Sequence, residues 1–315
     1  MWTRWRGLEP AWPNDVKRIE YRPGRNDSPQ PAMFYAPPAI SGESTRQAPR
    51  PLLVALHTWS SGFDQVESIS YAEWCIANRW VFVHPHFRGA NDHPAAMGSE
   101  QVITDILGAV DYAKQHSNVD ARRIFLIGES GGGYAALLLA GRAPEIWAGV
   151  SVWAAPIDMI AFHHEAEARR LHHADDIARA CNGAPLPGTN AAAECAKRSA
   201  STYLSAARDV PIDLNAGIRD GHANGGSVAI SHSFTAFNLL ANATDRFAAF
   251  EIEAMVRVPV VPAGLQFSGD DPHYGSMRVL LRRQSNNVRL TIFDGGHQRI
   301  TAAGLSWLSG LPDRK

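Results

Sequence analysis

A serine flanked by glycines is the residue of this chain best suited to chemistry. Ser130 lies within Gly-Glu-Ser-Gly-Gly at residues 128–132, after a hydrophobic run at 123–127 and before a run of small apolar residues at 134–140. A strand, a sharp turn and a helix in this order are the setting of a nucleophile elbow, which exposes a reactive serine hydroxyl at the edge of a sheet. The flanking glycines avoid side-chain clashes in the turn, and the helix N-terminus favours an oxyanion.

Two other interpretations of the same stretch compete with the elbow. Gly128 and Gly133 bracket four residues, as in a phosphate-binding loop, but Tyr134 stands where that loop requires a lysine. An ordinary glycine-rich turn between a strand and a helix is the remaining alternative. The elbow therefore needs support from partners elsewhere in the chain.

The first such partner is a base, because a serine hydroxyl is a weak nucleophile at neutral pH without one. Of the 13 histidines, His297 is the candidate, since it lies in the loop Asp-Gly-Gly-His that follows the last predicted strand at 288–293. An elbow enzyme whose chain order is serine, acid and histidine places its base at this point.

Two aspartates compete to be the acid that orients His297. Asp220 follows a predicted penultimate strand at 210–217 and precedes a helical pattern, which is the context expected for the acid. Asp271 lies closer to the histidine along the chain, which is the commoner spacing. We prefer Asp220 and keep Asp271 as the alternative, whereas Asp294 is predicted to be a turn residue.

An oxyanion formed during acyl transfer needs two preorganised N–H donors. Gly131, directly after the serine, supplies one of them. The other is expected from the loop after the first buried strand, where Trp59 is the candidate and Thr58 the second choice. His57, in the same loop, is predicted to be a structural hydrogen-bonding residue.

Four residues near these elements are candidates for substrate contacts: Thr58, Arg88, Glu129 and Tyr134. Arg88 could bind a substrate carboxylate through two hydrogen bonds, although a structural ion pair is the commoner role. Two pairs of adjacent histidines, at 163–164 and 172–173, lack the spacing of a helical zinc site. No metal ion and no organic cofactor is therefore expected.

The elements that must hold these residues alternate between buried strands and amphipathic helices. Continuous apolar runs predict strands at 51–57, 80–84, 123–128, 148–153, 212–216 and 288–293. Apolar residues three and four positions apart predict helices around 102–110 and 234–241. This alternation predicts an α/β fold with a doubly wound, mostly parallel sheet.

The predicted domain organisation is a core with one insertion. Residues 51–155 and 210–315 form the core, and residues 1–50 form an irregular, proline-rich N-terminal extension with short leading strands. Residues 156–209 are too long for a simple crossover between two strands. We interpret them as a helical lid over the carboxyl ends of the strands, where loops shape substrate pockets; a solvated helical excursion is the alternative.

Composition excludes several classes of protein. The 315 residues are 45% hydrophobic and 19% charged with a net charge of −1, so no basic surplus points to nucleic acid or an acidic membrane surface. No apolar run approaches the ~20 residues of a membrane span. The stretch Met1–Arg6 lacks an apolar signal core, which predicts a cytoplasmic location and leaves export of a longer precursor open.

The three cysteines are too few for a disulfide framework. Cys75 lies in an apolar, helix-like segment and is expected in the core. Cys181 and Cys195 flank a loop rich in glycine and proline, and they either form one bridge or stay unpaired.

The chain resembles the catalytic domain of the prolyl-oligopeptidase-like branch of the α/β-hydrolase superfamily. The resemblance extends over about residues 50–300, and its motifs lie at 56–59, 86–89, 128–134, 219–221, 231–233 and 294–297. Members of that branch are serine peptidases, or esterases that act on acyl and carbohydrate esters. The resemblance implies an α/β-hydrolase fold and a triad of Ser130, Asp220 and His297.

Two departures from the family pattern affect the site. The usual His-Gly after the first strand is His57-Thr58 here, and the acid loop is lengthened by residues 222–226. Only about 50 residues precede the core, so the propeller that sieves peptides in the large oligopeptidases is not expected.

The expected activity is therefore cleavage of carboxylic esters through an acyl-enzyme. A peptidase that uses the same mechanism on short peptides is the alternative. A non-enzymatic binding module is the third hypothesis. The expected partner is a small ester or a short peptide, without nucleic acid or membrane, and the oligomeric state is left open.

Overall fold

The computed structural model describes residues 11–24, 27–38 and 48–314. Within these ranges nine strands form one sheet: β1 (Lys17–Tyr21), β2 (Gln30–Tyr35), β3 (Arg50–Leu56), β4 (Val81–Pro85), β5 (Val119–Glu129), β6 (Gly149–Trp153), β7 (Ile212–Gly217), β8 (Val279–Ser285) and β9 (Val288–Phe293). The α-helices are α1 (Ile69–Asn78), α2 (Glu100–His116), α3 (Gly131–Arg142), α4 (Met159–Ala168), α5 (His173–Ala180), α6 (Asn190–Arg198), α7 (Ser231–Leu240), α8 (Ala249–Arg257) and α9 (Thr301–Ser309).

The sheet has the mostly parallel arrangement that the alternating pattern predicts. Its strand order is β1-β2-β4-β3-β5-β6-β7-β9-β8, and β4, β3, β5, β6, β7 and β9 pair in parallel. Every residue of β6 and β7 is buried, as expected for strands covered by helices on both faces. Parallel pairing brings the carboxyl ends of β5, β7 and β9 to one edge, where the predicted site residues follow.

Two antiparallel strands on one side come from the predicted N-terminal extension. β1 pairs with β2, and β2 pairs with β4. These strands match the predicted leading strands, so this part of the chain belongs to the sheet. The stretch Met1–Arg6, which bears on export, lies outside the described residues.

The opposite edge contains a strand that the sequence does not predict. β8 pairs antiparallel with β9 at the edge of the sheet. Its sequence, Val-Leu-Leu-Arg-Arg-Gln-Ser, mixes apolar and polar residues, since three of its residues are buried and four are partly or fully exposed. Two strands therefore follow β7 along the chain, so β7 is not the penultimate strand.

The predicted lid segment, residues 156–209, consists of α4, α5, α6 and two short 3-10 helices at Ala200–Thr202 and Leu204–Ala207. A disulfide joins Cys181, at the end of α5, to Cys195 in α6, and Cys75 is a buried free thiol. Among the described residues, no helix is both long enough and apolar enough to cross a lipid bilayer.

We expect the double substitution Cys181→Ser, Cys195→Ser to lower the free energy of unfolding by about 3 kcal/mol, because the bridge removes entropy from the unfolded chain. The bridged residues are 14 positions apart. Denaturant titration of wild type and variant measures the loss. In the unreduced, denatured wild type, thiol titration should find Cys75 alone; three reactive thiols there would contradict the bridge.

Candidate active site

The turn that carries Ser130 joins the end of β5 to the start of α3. The backbone of Ser130 has φ 54° and ψ −121°, and its amide donates to the carbonyl of Trp153 at 2.8 Å. A Cβ on Gly128 would lie 2.3 Å from the carbonyl carbon of Gly132, so the turn accepts no side chain there. A strained serine in a tight strand-to-helix turn is the geometry that the elbow pattern predicts.

The loops after β7 and β9 bring an acid and a base together. Nδ1 of His297 lies 2.8 Å from Oδ2 of Asp220, whose side chain is 1% exposed. The other oxygen, Oδ1, accepts hydrogen bonds from the amides of Gly221 at 2.9 Å and Val228 at 3.1 Å. The carboxylate is therefore held on one side by backbone amides and turned towards the imidazole on the other.

The surroundings of His297 raise its pKa. Burial alone would lower the pKa, but the hydrogen bond and the charge of Asp220, with a smaller contribution from Glu129, outweigh burial and the opposing charge of Arg169. The pKa of His297 therefore lies above its usual 6.5. Neighbouring His173 has its pKa lowered to about 4 by burial first, then by the charges of His172, His297 and Arg169.

The rival acid occupies a different environment. Asp271 accepts a hydrogen bond from the amide of His273 at 3.1 Å and forms an ion pair with Arg282 at 2.9 Å. It caps a short 3-10 helix and steadies the edge strand. Asp294, predicted to be a turn residue, pairs with Arg219.

The hydroxyl of Ser130 forms no hydrogen bond with any of the residues that the structure describes. Among the described residues, Ser130 and His297 are therefore not joined by a hydrogen bond. Hydrogen bonds of this kind are often long in unliganded enzymes and tighten when substrate binds.

The backbones of Gly131 and Trp59 lie side by side next to Ser130. A Cβ on Gly131 would lie 2.7 Å from the amide nitrogen of Trp59, so the two residues approach backbone to backbone. Within the described ranges neither amide donates a hydrogen bond. The amide of Thr58, the second choice, is already bonded to Oε1 of Gln65 at 2.8 Å, so Trp59 is the better placed donor.

Residues of the predicted lid segment hold the side chain of Trp59. Its indole nitrogen donates to Oδ2 of Asp176 in α5 at 2.9 Å, and the ring packs edge-on against Phe162 of α4 at 5.8 Å between centroids. The indole is buried, and so is Asp176. Sequence reasoning missed this link, because 117 residues separate its ends and no local pattern connects them.

A second unpredicted contact holds the residue before the serine. Glu129 pairs with Arg299, which also donates to the carbonyl of Glu67 and lies over the ring of Tyr71 at 5.0 Å. Arg299 lies two residues after His297. That proximity was the one feature of the sequence that pointed to an ion pair between Arg299 and Glu129.

The structure differs from the sequence-based expectation for two candidate substrate contacts. Arg88 forms two hydrogen bonds with Asp105, at 2.7 and 2.9 Å, which is the structural ion pair weighed as the alternative. Tyr134 is fully buried and donates to the carbonyl of Arg198 at 2.6 Å. Both side chains form hydrogen bonds with buried polar groups of the protein, so neither is free to bind a substrate.

His57 has the structural environment predicted for it. Its two ring nitrogens face the carbonyl oxygens of Thr58 at 2.9 Å and His86 at 2.6 Å, and its ring stacks on Phe87 at 3.8 Å. Burial lowers the pKa of His57 to about 4, against the opposing effect of the two carbonyls.

One of the histidine pairs lies beside an acid on α4. Ligand atoms of His163, His164 and Glu167 lie within 4.8 Å of one another. His164 and Glu167 are exposed, and exposed groups of this kind are common without a metal ion, so we assign this cluster no role.

The chain matches the sequence model of a known protein family. The model of the prolyl oligopeptidase family matches residues 76–250, more than half of the chain, and this range includes Ser130 and Asp220. The chain belongs to the prolyl oligopeptidase family. The resemblance inferred from the sequence is thereby confirmed, and no curated protein gave a significant match.

Solved structures show the same fold. Oligopeptidase B from Leishmania major matches with a TM-score of 0.59 at 11% identity, covering 93% of this chain and 35% of that one. The acylaminoacyl peptidase of Pyrococcus horikoshii matches with a TM-score of 0.53 at 14% identity, covering 71% and 34%. Prolyl oligopeptidase B from Galerina marginata gives 0.53 at 12% identity, covering 71% and 31%. This prolyl oligopeptidase family member thus spans about a third of the length of these proteins, and it shares the α/β-hydrolase fold with them.

We expect Asp220→Asn to slow the reaction of Ser130 with a fluorophosphonate by about 10³–10⁴-fold, because the amide cannot hold the imidazole in the required tautomer. The matched change Asp271→Asn should alter the labelling rate by less than about threefold, since Asp271 does not contact His297. Stopped-flow or gel-based labelling measures both. A severe loss in Asp271→Asn with a mild one in Asp220→Asn would transfer the acid role to Asp271.

We expect the labelling rate to fall below a midpoint that lies above pH 6.5, because only neutral His297 accepts a proton and its pKa is raised. Glu129→Gln removes one of the charges that raise this pKa, so its midpoint should move to lower pH. Glu73→Gln, a change at an exposed residue of α1 whose charge is not among those that shift the pKa of His297, is the control and should leave the midpoint unchanged. A wild-type midpoint below 6.5 would disprove this electrostatic account.

Proposed function

We propose that this chain is a serine hydrolase that cleaves carboxylic esters, with Ser130 as nucleophile, His297 as base and Asp220 as the orienting acid. The observation that carries the proposal is the hydrogen bond of 2.8 Å between His297 and Asp220 at the sheet edge that also presents Ser130. Membership of the prolyl oligopeptidase family supports serine hydrolase chemistry.

The reaction follows from the groups at this edge. Nε2 of His297 accepts the proton of the Ser130 hydroxyl while the oxygen attacks the ester carbonyl, and the amides of Gly131 and Trp59 bind the resulting oxyanion. The imidazolium, stabilised by Asp220, then protonates the leaving alcohol. A water molecule activated by the same imidazole releases the acyl group and restores Ser130.

Esters are placed before peptides because of the lid. Residues 156–209 contact Trp59 through Asp176 and the end of the acid loop through Arg169. A chain segment packed this closely over the loops suits a small acyl group better than an extended peptide. The similar structures favour the alternative, because they are named as an acylaminoacyl peptidase, an oligopeptidase and a prolyl oligopeptidase.

We expect the wild type to hydrolyse activated esters of short acyl chains well above the rate for aminoacyl-peptide and prolyl-peptide substrates. Ser130→Ala and His297→Ala should each lower kcat by several orders of magnitude, because the triad acts as a unit. Parallel chromogenic assays on both substrate panels measure this. Rapid peptide turnover with negligible ester turnover would make the chain a peptidase, and failure of Ser130 to react with a fluorophosphonate would favour a non-enzymatic binding module.

A further inference from the structure

The lengthened loop after Asp220 packs directly against the acid and base. The amide of His297 donates to the carbonyl of Gly225 at 2.7 Å. A Cβ on Gly226, where φ is +141°, would lie 2.2 Å from Oδ1 of Asp220 and 2.2 Å from Cβ of His297. The position of this backbone therefore decides where the Asp220–His297 pair can sit.

A lid side chain holds this part of the loop. Arg169, at the end of α4, donates from Nη1 to the carbonyl of Ser227 at 2.9 Å and from Nη2 to the carbonyl of Gly226 at 2.5 Å. Within the described ranges Arg169 has no acidic partner. Its guanidinium thus donates to two successive backbone carbonyls at once, which we call the fork. The planar guanidinium suits this geometry, whereas the ammonium group of a lysine does not.

Val228, the next residue along the loop, connects the residues bound by Arg169 to Asp220. The amide of Val228 donates to Oδ1 of Asp220 at 3.1 Å. That bond turns the other oxygen, Oδ2, towards Nδ1 of His297. Fixing the carbonyls of Gly226 and Ser227 therefore fixes the amide that orients the carboxylate.

We propose that Arg169 is a positioning residue for the Asp220–His297 pair, and that the lid is a fixed part of the catalytic apparatus. The kinetic part of this proposal rests on the proposed ester hydrolysis, whereas the hydrogen-bond part does not. The lid arginine and the lengthened acid loop act together, because Gly226, which lies against Asp220 and His297, is one of the two residues whose carbonyls the guanidinium binds.

The test compares three variants of the full chain. Arg169→Met removes the fork and the charge, and Arg169→Lys keeps the charge without the fork. Arg170→Met is the matched control, because it removes a cation from the neighbouring, exposed position, whose side chain touches neither Gly226 nor Ser227. The readouts are kcat and KM for an activated ester, and the low-field proton NMR signal of the His297–Asp220 hydrogen bond.

We expect both Arg169 variants to lose at least about tenfold in kcat, corresponding to about 1.4 kcal/mol, with KM changed by less than about threefold. Their low-field signal should broaden or disappear. Arg170→Met should keep the wild-type kcat and signal. If Arg169→Met fails to fold, Arg169→Lys, which keeps the charge and most of the aliphatic stem, decides the question.

Three results would overturn the proposal. An Arg169→Met variant with wild-type signal and kcat would show that the fork is not needed. A fully active Arg169→Lys would show that charge alone matters. An equal loss in Arg170→Met would show a general effect of positive charge on the lid. If the wild type hydrolyses no ester, the proposed function fails, and the NMR signal still tests the positioning role by itself.

Discussion

Parallel pairing of the central strands is the constraint on which the site depends. The carboxyl ends of β5, β7 and β9 meet at one edge because these strands, with β6, run in the same direction. Ser130, Asp220 and His297 follow three of those ends, so residues remote in the chain share one small region of space. A sheet with one of these strands reversed would carry the same residues to opposite edges.

The predicted lid segment contacts the candidate site at two places. Asp176 accepts a hydrogen bond from the indole of Trp59, and Arg169 donates to the loop that follows Asp220. Each contact is a hydrogen bond to a buried or half-buried group, and such bonds position their partners sharply, because an unpaired polar group in the interior is costly. The segment therefore resembles a structural wall of the pocket more than a swinging cover.

The disulfide within residues 156–209 depends on the redox state of the compartment. Bridges such as Cys181–Cys195 persist in oxidising compartments and are rare in the cytosol. Free Cys75 is buried in the core and adds nothing to the argument.

The sequence by itself determined the elbow at Ser130, the buried parallel strands and the order in which serine, acid and base occur, because those features depend on local patterns of glycine and apolar residues. Tertiary structure alone decided which aspartate approaches His297, since Asp220 and Asp271 both follow loops of plausible composition. It also decided that Arg88 and Tyr134 satisfy internal partners, and that Arg169 and Asp176 form hydrogen bonds with Ser227 and Trp59. These outcomes depend on contacts between side chains many residues apart, whose distances are set by how the helices pack on the sheet and not by any spacing along the chain.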